Sequence, residues 1–323
     1  MKTENNESGS FFRVAEGVWG VKDVMVNVYL IANPDKSWVL IDTGLKSAFE
    51  KIKTAAAELF GEGVPPVAVV LTHGHFDHVG SLEAIIREWG VPVYAHFLET
   101  PYLTGKSDYP PADPNAGGGL LSLVSGLYPN DSIDLIDAVK SLPLDGHIPF
   151  MPEWAYIHTP GHSPGHISLW RETDRVLVAG DAFVTTRQES VFSVLTQRKV
   201  ISGPPKYFTC DWYQADKSVN ALADLSPEVV ATGHGKPMEG REMRQQLMDL
   251  ALNFADRALP RHGRYVATPA VTNRDGVVSL PNVPSSPDAA WALLSSVAVI
   301  ALGCVYFSLQ RSRREQLSLP SFS

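Results

Sequence analysis

Four apolar runs, far apart in the chain, each break off at a tight turn that hands on a histidine or an aspartate. "VVLT", from Val69, runs into His73-Gly74-His75-Phe76-Asp77-His78. "YIHTPG", from Tyr156, runs into His162, "VLVAG", from Val176, into Asp181, and "VVATG", from Val229, into His234. Short apolar runs bounded by turn residues read as buried strands. In α/β sheets, sites assemble at the carboxyl ends of strands, because the rigid sheet fixes the first residues of each following loop. A chain built this way is constrained to a fold in which those four strand ends meet.

The donors decide what such a meeting point could hold. They comprise five imidazoles and two carboxylates, with no cysteine, and three of the chain's ten histidines fall within His73–His78. These are nitrogen and oxygen ligands suited to zinc, with iron and manganese as alternatives. Seven protein ligands are too many for one tetrahedral ion and enough for two divalent ions that share a bridge. A lone His-x-His would be weak evidence; His-x-His-x-Asp-His followed by three more ligands at strand ends is specific.

The remaining sequence reads as alternating strands and helices. Strand patterns include "MVNVYLIA" from Met25, "WVLID" from Trp38, "VPVYA" from Val91 and "HISLW" from His166. Helical periodicity marks "SAFEKIKTAAAELFG" from Ser47, "SLEAIIREWG" from Ser81, "YQADKSVNALADL" from Tyr213 and "GREMRQQLMDLALNFADRAL" from Gly240. The expectation is one α/β domain over residues 10–275. Residues 100–144 break the pattern, and "SDYPPADPNAGGG" reads as a long irregular loop of the kind used as a lid or binding loop. A formal net charge of -8 argues against a general affinity for nucleic acid, which needs a basic face. Cys210 and Cys304 do not make a disulfide framework.

The C-terminal region differs. "PNVPSSP", from Pro281, lies in an expected linker over 276–288, and residues 289–309, "AAWALLSSVAVIALGCVYFSL", carry no charge. As a helix they would span about 31 Å, near the ~30 Å of a bilayer core, so a transmembrane anchor is expected, followed by a short basic tail at 310–323. Arg311, Arg313 and Arg314 argue for a cytoplasmic C-terminus. The polar N-terminus has no signal-peptide core and argues instead for a cytoplasmic catalytic domain. The expected localisation is therefore membrane-anchored, with a cytoplasmic domain and an open orientation.

These motifs resemble the metallo-β-lactamase-fold superfamily, in particular its hydrolase branch containing glyoxalase II and the acyl-homoserine lactonases. "THGHFDHVG" is similar to that family's T-H-x-H-x-D-H-x-G motif, and "LIDTG", "TPGHSPGH", "GDAF" and "TGHG" match its other motifs in family order. The resemblance covers residues of about 15–260 and implies an αββα sandwich with metals at one edge. It also implies that His73, His75 and His162 hold one metal, that Asp77, His78 and His234 hold the other, and that Asp181 bridges them. Asp42 resembles an acid that orients a ligand histidine, with a plain turn residue as the alternative. Of the two histidines in "TPGHSPGH", the resemblance assigns the metal to His162 and an internal hydrogen bond to His166. His96, His147, His158 and His262 lie outside the motifs.

The reaction implied is hydrolysis of a small-molecule ester, thioester or lactone by a metal-bridging hydroxide, with Asp77 and Asp181 orienting the attacking oxygen. Two departures bear on the branch. The region after the domain is too short for the glutathione-gripping helical domain of glyoxalase II. The lactonases place a tyrosine soon after the bridging aspartate, whereas "AFVTTRQESVF" has none and Tyr207 and Tyr213 come later. The aromatics of "KYFTCDWY" and the Tyr102–Leu127 loop are candidates for an apolar substrate wall. The rivals are a mononuclear iron persulfide dioxygenase-like oxidoreductase of the same fold, a nuclease and a non-catalytic scaffold.

Overall fold

The computed structural model describes residues 9–135 and 137–283. Strands β1 (Phe12–Ala15), β2 (Val18–Asp23), β3 (Val26–Ala32) and β4 (Trp38–Ile41) form an antiparallel meander. Helix α1 (Phe49–Phe60) then leads to β5 (Ala68–Val70), and α2 (Phe76–Val79) and α3 (Leu82–Trp89) lead to β6 (Val93–Ala95). Helices α4 (Thr100–Leu103) and α5 (Leu120–Leu123) precede β7 (Val139–Ser141). From β4 to β7 the pairing is parallel, so this seven-stranded sheet is mixed, in order β1-β2-β3-β4-β5-β6-β7.

The second sheet holds β8 (Ala155–His158), β9 (Ile167–Arg171), β10 (Val176–Val178), β11 (Val229–Ala231) and β12 (Met238–Glu239), in order β12-β11-β10-β9-β8. Only β10 and β11 pair in parallel. Helices α6 (Val191–Thr196) and α7 (Trp212–Asp224) lie between those two strands in the chain. Helices α8 (Gly240–Leu252) and α9 (Phe254–Arg257) follow, then a hairpin of β13 (Val271–Asn273) and β14 (Gly276–Ser279), which reaches into the stretch read from sequence as linker.

Local chemistry explains the elements that frame the site. The Asp211 carboxylate accepts the Gln214 amide at 3.0 Å, capping α7 and satisfying an N–H that the first helical turn leaves unpaired. Helix α3 stops where Gly90 adopts a left-handed conformation and returns its N–H to the Ile86 carbonyl, a common helix ending. Strand β3, "VNVYLIA", is buried on both faces, one against helices and the other against the second sheet.

Three apolar clusters set the layers. Ile52, Ala55, Leu82 and Ile85 of α1 and α3 pack on Leu30, Leu40 and Val69 of the first sheet. Tyr29, Ile31, Ile41 and Val70 of that sheet pack on Ile167, Leu169, Val178 and Ala231 of the second. Val219, Leu222, Leu247 and Leu250 of α7 and α8 cover the other face at Leu177 and Val230. The layers therefore run helix, sheet, sheet, helix.

Register delivers the strand ends together. Val178 pairs with Ala231, and Asp181 and His234 each lie three residues further on. Ile41 pairs with Val70, so Asp42 and the His73 loop leave the first sheet side by side. The two sheets are tied at this rim. The Ile167 amide donates to the Thr72 carbonyl at 2.9 Å, the Asn27 amide to the Gly233 carbonyl at 2.8 Å and the Tyr29 hydroxyl to the Thr232 carbonyl at 2.6 Å.

The expected membrane anchor is corrected. Among the described residues no helix is long and apolar enough to cross a membrane. The longest, α7 and α8, have 13 residues each, about 20 Å at 1.5 Å per residue and well short of a bilayer core. The anchored localisation inferred from sequence falls with it. Residues 289–309, on which that expectation rested, and the tail at 310–323 lie outside the described residues.

Candidate metal centre

The His73 loop is extended as it leaves β5. His75 has φ -65° and ψ 153°, after which α2 begins at once. The extended pair aims alternate side chains, His73 and His75, the same way. The helical turn, closed by the His78 amide on the His75 carbonyl at 2.8 Å, swings Asp77 and His78 toward the other side. All seven sequence-predicted residues are buried, from His73 and His78 at 0% exposed to Asp77 at 6%.

The structure brings all seven together in three overlapping groups. His73, His75 and His162 form one, His73, His78 and Asp181 a second, and Asp77, His78 and His234 a third, with the donor atoms of each group within 4.8 Å of one another. His162 Nε2 lies 3.0 Å from His75 Nδ1 and 3.2 Å from His73 Nε2. At zinc–nitrogen bonds of about 2.0–2.1 Å the corners of a tetrahedron are about 3.4 Å apart, so this spacing suits a shared cation. Asp181 Oδ2 reaches both sides, 3.5 Å from His162 Nε2, 3.1 Å from His234 Nε2 and 3.6 Å from His78 Nε2. Asp77 Oδ2 lies 3.5 Å from His234 Nε2. Buried His78 Nε2 and Asp181 Oδ1 have no hydrogen-bond partner, which is expected of atoms whose partner is a metal ion.

Electrostatics supports the same reading. Burial drives His73 and His162 well below the ordinary histidine pKa, with neighbouring imidazoles adding to the effect, and pulls His75 down to about 3. These three rings are neutral at physiological pH, the form in which an imidazole can bind a metal. Burial also acts to lower His78 and His234, but Asp42, Asp181 and Asp77 outweigh it at His78 and Asp181 and Asp77 at His234, so both are raised. Burial would raise Asp181, yet His234 and His78 hold its carboxyl well below the usual range. The carboxylates therefore call for positive charge, supplied by protons on His78 and His234 or by cations that displace them.

A second ring of residues fixes the rotamers. His78 Nδ1 donates to Asp42 Oδ2 at 2.8 Å, and Asp42 also accepts the Thr72 amide and hydroxyl, each at 2.7 Å. Asp42 thus orients His78 from an otherwise unusual backbone position, φ +60°, and does more than a plain turn residue would. His234 Nδ1 donates to the Met25 carbonyl at 2.8 Å, leaving Nε2 for the cluster. His166 Nε2 accepts the Asp181 amide at 2.8 Å, and its Nδ1 lies 2.8 Å from Thr159 Oγ1. It works inside the fold, as expected. Gly233 is required here, since a Cβ would overlap Asp181 Oδ1.

Sequence reasoning missed Glu99. Fully buried beside α4, it accepts the Gly74 amide at 3.0 Å, the Gly165 amide at 2.6 Å, the Ser163 hydroxyl at 2.8 Å and the Tyr109 hydroxyl. It thereby joins the loop of His73 and His75 to the loop of His162. Tyr109 belongs to the long irregular segment, which is thus partly fixed against the centre; its hydroxyl also accepts the Gly74 amide at 2.8 Å. Outside the cluster, His96 stacks on His158 with ring centroids 4.1 Å apart. Cys210 is buried, with Sγ 3.6 Å from the Gly161 carbonyl.

An aromatic wall stands over the donors. Phe208 stacks on His75, with centroids 4.6 Å apart at 29°, and Tyr207, Tyr128 and Phe76 surround Phe208. Tyr213, the other late tyrosine, is 67% exposed on α7.

Comparison with known proteins agrees with this geometry. The sequence model of the metallo-beta-lactamase superfamily matches residues 21–234. The chain is 50% identical over 253 residues to a probable metallo-hydrolase of Bacillus subtilis (strain 168), YflN, covering 78% of this chain and 96% of that one. It is 27% identical over 213 residues to a second from the same organism, YybB, covering 66% and 82%. Among solved structures, that of the BLEG-1 B3 metallo-beta-lactamase matches with a TM-score of 0.50 and 26% identity, covering 71% of this chain and 93% of that one.

Proposed function

The chain belongs to the metallo-beta-lactamase superfamily, and on that premise we propose that it hydrolyses an ester, thioester or lactone of a small molecule at a dinuclear divalent-metal centre. In this reading His73, His75 and His162 hold one ion, Asp77, His78 and His234 hold the other, and Asp181 is shared. The observation that carries it is the position of Asp181 Oδ2, within 3.1–3.6 Å of imidazole nitrogens from both sets. Zinc suits the all-nitrogen-and-oxygen donor set, with iron or manganese as alternatives.

When bound, such ions supply Lewis acidity toward a carbonyl oxygen and a water whose pKa falls to about 7. The chain's own groups do the rest. Asp77 and Asp181 present carboxylate oxygens at the heart of the cluster, where each can accept a hydrogen bond from the attacking water and fix its direction. Asp42, Met25 and Glu99 hold the ligands so that no reorganisation is needed when charge develops. Phe208, Tyr207 and Tyr128 keep bulk water from one side and offer an apolar face to an acyl group. The histidine-and-aspartate donor set supports the branch of the family that contains glyoxalase II and the lactonases.

The test is a screen of the zinc-loaded protein against thioesters, lactones and phosphodiesters, with metal content measured in parallel. Turnover of a carboxylic ester class is expected, abolished in Asp181→Ala together with weakened metal retention. Full activity in Asp181→Ala would refute the proposal.

A further inference from the structure

A cavity of about 640 Å³ is walled by segments that adjoin the metal centre in the chain. Arg187, Glu189, Ser190 and Val191 come from the stretch that leaves β10 after Asp181. Val200–Gly203 and Lys206 come from the stretch that leads to Tyr207 and Phe208. Its volume lies in the range of small-molecule sites.

Its lining carries three cations, Arg187, Lys206 and Arg257, and two acids, Glu189 and Asp256. Arg257 at its edge is engaged by Asp249 at 2.8 Å. Among the described residues neither the Arg187 guanidinium nor the Lys206 ammonium has a carboxylate partner. Of the acids that line the cavity, Glu189 spends Oε1 on the Lys206 backbone amide at 3.2 Å, and Asp256 is exposed. The Lys206 stem runs close past the glycine turn: a Cβ at Gly117, where φ is +102°, would stand 3.2 Å from Lys206 Cδ, and one at Gly119 would overlap the Glu189 carbonyl. The turn through 117–119 therefore seats directly on this wall. Val191, Val200, Ile201 and Leu250 supply apolar lining, and Phe192 and Leu195 on α6 are 71% and 77% exposed nearby.

We propose that this cavity binds the anionic end of an amphipathic acid, a carboxylate or phosphate carried on an apolar chain, through Arg187 and Lys206. In a chain of net charge -8, two cations without ion-pair partners in a polar cavity that also carries a few apolar side chains suit a ligand of that chemistry. That this ligand is part of the substrate rests on the hydrolase reading above; the binding itself does not.

Calorimetry of the metal-loaded protein with decanoate, decyl phosphate and neutral 1-decanol tests it. One or both anions should bind at least about tenfold more tightly than the alcohol, and the better of the two identifies the head group. Arg187→Glu and Lys206→Glu should each weaken anion binding by about tenfold or more, the loss expected for one charge-assisted contact, with circular dichroism unchanged because both side chains reach solvent. Equal affinity for the alcohol, or anion binding that persists in both variants and so resides on the metals, would overturn the proposal. Failure of every ester screened, with this binding intact, would refute the hydrolase reading and leave the site standing.

Discussion

Replacing Glu99 gives the sharpest test of how the centre is held. Its carboxylate accepts four buried donors. In Glu99→Ala the Gly74 amide retains the Tyr109 hydroxyl as acceptor, whereas the Gly165 amide and the Ser163 and Tyr109 hydroxyls lose theirs. An orphaned buried donor costs about 1–3 kcal/mol, so three give a gross loss of roughly 3–9 kcal/mol. Against this stands relief of the buried charge, a cost visible in the upward push that burial gives the Glu99 pKa, and rotation of the two hydroxyls toward other partners. A net loss of about 3 kcal/mol is the expectation. Glu99→Gln keeps one carbonyl oxygen but presents an NH₂ group to fixed donors, so it should lose about half as much. Urea unfolding of the metal-free protein reads the stability. Zinc competition with a chelator reads the second effect, a weakening of the His73, His75 and His162 set, because Glu99 braces both loops that carry it. An Ala variant within about 0.5 kcal/mol of the parent and with unchanged zinc affinity would show that the four bonds do not position the centre.

Two further outcomes follow from particular contacts. Asp42→Ala removes the acceptor of His78 Nδ1 and of both Thr72 donors and should lower affinity for the second ion by about 10–100-fold, measured by chelator competition; unchanged affinity would reduce Asp42 to a turn residue. His96 is pulled to about 3 by burial and by His158, so below its unfolded value of 6.5 the unfolded chain binds more protons. Its contribution to stability is therefore full above about pH 6.5 and is lost as pH falls toward 3. His96→Gln should flatten the dependence of the urea midpoint on pH between 7 and 5, and an identical slope in both proteins would contradict the assignment.

The parts of this fold that were legible in sequence are those whose physics is local. "VVLT", "VLVAG" and "VVATG" announce buried strands, and the ligands follow at fixed short offsets, so parallel register alone brings Asp181 and His234 together. Periodicity found α1, α3 and α7 to within two residues at each end, and α8 at its start. Strands β1, β7, β12, β13 and β14 have two to four residues each, too few to show a period, and β7 pairs with β6 across more than 40 residues of chain. Glu99 was invisible for a related reason. A single acid in "FLETPY" has no pattern, and its four donors come from three other segments of the chain. The apolar run at 289–309 lies outside the described residues, among which no helix is long and apolar enough to cross a membrane.

The central claim is that seven side chains form one centre for two ions bridged by Asp181. Zinc titration of the metal-free protein, read by calorimetry with elemental analysis of the dialysed product, addresses it most directly. Two ions per chain are expected, falling to one or fewer in Asp181→Asn. A parent protein that binds a single ion, or a variant that still holds two with undiminished affinity, would contradict it.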